Sequence, residues 1–73
     1  MKAYEIAFAP KDKTAALFLK NRLTGIMRSN PGLGLAYRKD RTRVYVNQLS
    51  TPVENILNRM TAPREIKEVE YAF

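Results

Sequence analysis

The chain has 73 residues, a formal charge of +6, and neither cysteine nor histidine. One domain, residues 1–73, is all such a length supports, and it must hold together without disulfides or thiolate-bound metal. The missing residue types also remove the commonest base near neutral pH, the best neutral-pH nucleophile and the usual transition-metal ligands. We therefore expect no enzyme, no cofactor, no metal site and no small-molecule substrate.

Lys2 to Phe8 reads as a strand. Tyr4, Ile6 and Phe8 fall on one face and Ala3, Glu5 and Ala7 on the other, with Pro10 closing it. Asp12 or Thr14 is placed to cap a helix from about Lys13 to Ser29. Ala16, Leu19, Leu23, Ile26 and Met27 form its apolar stripe, interrupted by Gly25. Asn30-Pro31-Gly32 stops the helix. Two short strands, about Leu33 to Arg38 and Thr42 to Asn47, join through Lys39-Asp40-Arg41 as a hairpin.

Thr51-Pro52-Val53-Glu54 reads as a capping box, with Thr51 at the N-cap and Glu54 at the third helical position. Val53, Ile56, Leu57 and Met60 make the stripe of this second helix, bounded by Pro63. Arg64 to Phe73 reads as a last strand. Val69, Tyr71 and Phe73 alternate and Ile66 falls out of step with them, which predicts a bulge. The order β-α-β-β-α-β predicts an α+β, ferredoxin-like fold: a four-stranded antiparallel sheet with two helices on one face.

The remaining chemistry is sparse. Glu68 and Glu70 share a face at strand spacing and read as a solvated surface rather than an acid/base pair. Asn30-Pro31-Gly32-Leu33-Gly34 follows a helix and leads into a strand, the reverse of a phosphate loop, so it reads as a turn.

Charge is unevenly spread. From Lys11 to Arg43 nine basic residues face two acidic ones, for +7, whereas residues 44–73 carry −1. Arg38-Lys39-Asp40-Arg41-Thr42-Arg43 is the densest stretch. Arginine suits two-point contact with carboxylate or phosphate, although charge on a hairpin also protects a sheet edge from aggregation. Arg38, Lys39, Arg41 and Arg43, with Tyr37 and Tyr45 beside them, are the candidate partner-binding residues; Arg and Tyr are enriched at interface hot spots. An RNA or single-stranded DNA partner suits the charge. A sheet face showing Glu5 and a single stacking candidate, Tyr45, suits bases poorly. The apolar stripe of the first helix is needed for the core, so no membrane role is expected. Met1 to Pro10 lacks the continuous apolar stretch of a signal peptide, which points to the cytoplasm.

The whole chain, short and basic, without His or Cys, and with its Arg38 to Arg43 hairpin, resembles the small regulators that lytic phages make against host bacterial RNA polymerase. That resemblance implies a protein that binds polymerase subunits in the bacterial cytoplasm and blocks initiation or alters termination without catalysis; a monomer is expected. It assigns no role to any residue. The alternative expectation is a small binder of single-stranded DNA or RNA using the hairpin and sheet face.

Overall fold

The computed structural model describes residues 1–73. The strands are β1 (Lys2–Phe8), β2 (Leu35–Tyr37), β3 (Arg43–Val46) and β4 (Arg64–Glu70), and the helices α1 (Lys13–Ile26) and α2 (Thr51–Asn58). The sheet order is β2-β3-β1-β4, and every neighbouring pair is antiparallel. This is the expected α+β architecture, with a strand order compatible with the ferredoxin-like arrangement. No helix is long and apolar enough to cross a membrane.

The period-2 pattern of β1 places Ile6 and Phe8 in the core, where they meet Val44 and Val46 of β3. Ala16, Leu19 and Leu23 of α1 and Val53, Ile56 and Leu57 of α2 close over them. Both helices thus cover one face of the sheet. Ile26 packs only partly on this core and Met27 is exposed. The first helix ends at Ile26 and tightens into a 3-10 turn over Met27–Ser29.

The helix caps depart from expectation. Asp12 occupies the N-cap of α1 but makes no side-chain capping bond, because a 3-10 turn over Pro10–Asp12 delivers the chain. Ser50, not Thr51, is the N-cap of α2, and the capping box does not form. Starting one residue earlier moves Glu54 to the fourth helical position, where its backbone N–H donates to the Ser50 carbonyl at 2.9 Å. Its carboxylate is then past the site from which a capping box reaches back. Pro52 sits in the first turn, where a missing N–H forfeits no helical bond.

The bulge expected in the last strand is absent. β1 and β4 pair without a break from Lys2↔Glu70 to Phe8↔Arg64. Ile66 lies opposite Ile6 on the helix side, and Val69 lies opposite Ala3 on the other. The two apolar residues fell out of step because they serve opposite faces, not because the strand kinks. The strand ends at Glu70, and Tyr71 to Phe73 continue as an irregular tail.

Candidate macromolecule-binding surface

The basic hairpin sits at one end of the sheet, and the register shows what sits with it. The N–H of Phe8 donates to the Thr42 carbonyl at 2.9 Å, and Phe8 pairs with Arg64 on its other side. The hairpin tip, the exit of β1 toward Lys11 and Lys13, and the start of β4 therefore share that end. The sequence counted Lys11 and Lys13 in the same basic stretch as the hairpin, but the β1–β3 pairing is what sets the exit of β1 toward them at the hairpin's end of the sheet.

The tip itself is built tightly. Arg38 N–H donates to the Arg43 carbonyl at 3.0 Å, and Arg41 N–H donates to the Arg38 carbonyl at 2.9 Å. Asp40 accepts the Thr42 N–H at 3.0 Å, and this bond holds its carboxyl below the usual carboxylate range. The turn leaves Arg41 in the left-handed region, at φ 62°. A residue with a Cβ pays roughly 1–2 kcal/mol there, and glycine or asparagine would do so at less cost.

The six candidate residues separate into two groups. Lys39 and Arg41 are exposed and take part in no ion pair, as is also true of Lys11 and Lys13. Arg38 is exposed but lies 3.8 Å from Asp40 and donates to the Tyr45 hydroxyl at 3.4 Å. The other three are structural. Tyr37 lies on the helix side, half-buried, and donates its hydroxyl to the Arg41 carbonyl at 3.3 Å. Arg43 lies 3.9 Å from Glu5 and donates to Thr42 Oγ1 at 2.9 Å and to the Phe8 carbonyl at 3.5 Å. Tyr45 is only 5% exposed. The expected cluster of arginines with two tyrosines is therefore not one surface. Tyr37 and Tyr45 point to opposite faces, as neighbours in register of opposite parity must.

What buries Tyr45 is a network that composition alone did not reveal. Glu5 is 9% exposed at the centre of the open face. It accepts from Tyr45 at 2.7 Å and has Arg43 and Lys67 within 4 Å. Burial, and then the bond to Glu5, push the Tyr45 phenol above its ordinary pKa. Tyr71 stacks on Tyr45 with ring centroids 4.5 Å apart, and Phe73 tilts against Tyr71 at 4.8 Å. The tail crosses β1 to do this and reaches Gly34, where an added Cβ would stand 3.2 Å from the Phe73 ring. Alternation put Glu5 and Tyr45 on the same face in the sequence, but the register of β1 with β3 is what sets them opposite each other. The fold-back of Tyr71 and Phe73 carried no such signal.

Comparison with protein-family models, with curated proteins and with solved structures finds no match to this chain.

Proposed function

We propose that the protein is a non-catalytic binding protein that docks through its basic end onto an acidic face of a larger protein assembly. The resemblance stated above makes host RNA polymerase the first partner to test, with inhibited initiation or altered termination as the outcome. Arg41 carries the reading. It is an unpaired, exposed cation kept at a left-handed backbone position where a smaller residue would be less strained. Strain of this kind collects where the side chain is used. Lys39 beside it, and Lys11 and Lys13 just beyond the exit of β1 at the same end of the sheet, give that end a field that speeds encounter with an anionic surface.

A protein partner is favoured over bases stacked on Tyr45. The one open-face aromatic on the central strands, Tyr45, is already covered by Tyr71. Base stacking needs a free ring face.

Capture from bacterial lysate on the immobilised native protein, against Lys39→Glu/Arg41→Glu, tests this. Polymerase subunits are expected with the native chain and lost with the variant. Equal recovery with both would reject the basic end, and no polymerase with either would reject the partner. A salt-sensitive mobility shift on single-stranded DNA or RNA, without polymerase capture, would favour the nucleic-acid alternative. Arg43→Glu is a poor probe, because it sets a carboxylate beside the buried Glu5.

A further inference from the structure

The two edges of the sheet are unequal. The β2 edge is three residues long, whereas β4 runs for seven with nothing outside it. Its residues 65 to 68 are all exposed, and Ile66 is among the large apolar side chains left 39% exposed. Long free edges are normally blunted by charge. Here the charges alternate in sign in a way that selects one pairing.

The hydrogen-bond phase of β4 determines which residues can pair outward. Tyr71 N–H donates to the Met1 carbonyl at 2.9 Å, and the Met1 amino group donates to the Tyr71 carbonyl at 3.2 Å. They form a closely bonded antiparallel pair, and the unbroken register carries that phase along the strand. Odd-numbered residues of β4 therefore bond to β1. The N–H and C=O groups of Arg64, Ile66, Glu68 and Glu70 point to the free edge.

We infer that this edge pairs antiparallel with β4 of a second copy of the chain, in the register that sets Ile66 opposite Ile66. Directly opposed side chains share a face, so each cross-strand pair can be read off the sequence. Ile66 meets Ile66 on the helix side. Arg64 meets Glu68 on the same side, twice by symmetry. Glu65 meets Lys67 on the open side, also twice. Each of these five cross-strand pairs is complementary, and the outward backbone groups of Arg64, Ile66 and Glu68 fall in bonded positions. Shifting the centre to Lys67 opposes Lys67 to itself and Ile66 to Glu68. Centring on Glu65 or on Glu68 opposes like carboxylates. Glu65 has no ion-pair partner within the monomer, so Lys67 of the second copy supplies the first. Lys67 is 60% exposed beside Glu5 and can bridge both carboxylates. The Arg64 guanidinium is already positioned by bonds to the Leu57, Met60 and Ala62 carbonyls, which leave its charge unneutralised.

The result is a continuous sheet across two copies, with all helices on one face and the two basic ends directed oppositely. It departs from the monomer expected above and uses the β4 edge rather than Lys39 and Arg41 of the proposed partner site. An edge-to-edge interface is narrow and held partly by ion pairs, so it is weak and sensitive to salt.

Sedimentation equilibrium of the native chain up to ~1 mM at low salt tests it. Twice the chain mass is expected at the upper end, and monomer throughout would overturn the inference. Glu65→Lys, at an exposed residue without an ion pair, is expected to weaken association on the order of tenfold by setting lysine against lysine twice. An unchanged dissociation constant would overturn it. The register is tested by cysteine placed in this cysteine-free chain. A bonded antiparallel pair holds its Cα atoms about 5.5 Å apart, within disulfide reach. Oxidised Ile66→Cys is expected to give covalent dimer and Glu68→Cys, which faces Arg64, to give little. Equal cross-linking at both positions would reject this register.

Discussion

Tyr45 donates its hydroxyl hydrogen to Glu5 at 2.7 Å across the two central strands, and this contact gives the open face a closed polar centre. The carboxylate is buried, and it is tolerated because Arg43, Lys67 and Tyr45 surround it. A buried charge left without partners would cost several kcal/mol.

Removing the donor should therefore be felt. Tyr45→Phe keeps the ring and its stack on Tyr71 but leaves a Glu5 oxygen without its shortest hydrogen bond. A loss of about 1–3 kcal/mol is expected from urea unfolding. Binding through Lys39 and Arg41 should be unchanged, since neither is bonded to Tyr45; the hydroxyl's only tip contact is Arg38 at 3.4 Å.

The same residue sets an alkaline limit. Its phenol is pushed above the ordinary value of 10.0, first by burial and then by the bond to Glu5. Folding thus favours the protonated form. That contribution is fully present below pH 10 and fades as pH rises through the higher folded-state value. Tyrosinate absorbance followed with pH, native minus Tyr45→Phe, should show a midpoint above 10. A difference midpoint at or below 10 would contradict the burial of this ring.

Arg41→Gly should separate fold from function. Glycine occupies φ 62° without a Cβ penalty, so the hairpin is expected to gain on the order of 1 kcal/mol in thermal unfolding. Partner capture should weaken, because an unpaired cation leaves the tip. A variant that is more stable and binds less is what a strained functional position predicts.

Leu23→Ala probes the core. Leu23 is fully buried between the helices and the sheet. Truncation is expected to cost about 2–5 kcal/mol, which is a large share of the stability of so short a chain. The urea midpoint should fall sharply with little change in slope.

The tail can be tested separately. Tyr71→Ala removes the ring stacked 4.5 Å from Tyr45, and nitration mapped by mass spectrometry should then find Tyr45 reactive. In the native chain Tyr45 should be protected, because it is 5% exposed.

Element order and core were legible from the residues alone. Period-2 alternation in Tyr4, Ile6 and Phe8 and helical spacing in Ala16, Leu19 and Leu23 are local signals, and burial enforces them directly. The sequence also located a dense run of cations from Arg38 to Arg43 at a polar hairpin tip. Which charges are neutralised internally depends on how the strands pair. Arg43 looked equal to Arg41 in composition, yet strand pairing sets it beside Glu5, thirty-eight positions earlier in the chain. Tyr45 likewise looked available until Tyr71 and Phe73 folded back over it. Ion pairs and stacks across strands depend on register and on chain reversal, which bring together residues that no local periodicity relates. Burial patterns repeat along the chain, whereas such contacts exist only once the sheet has formed.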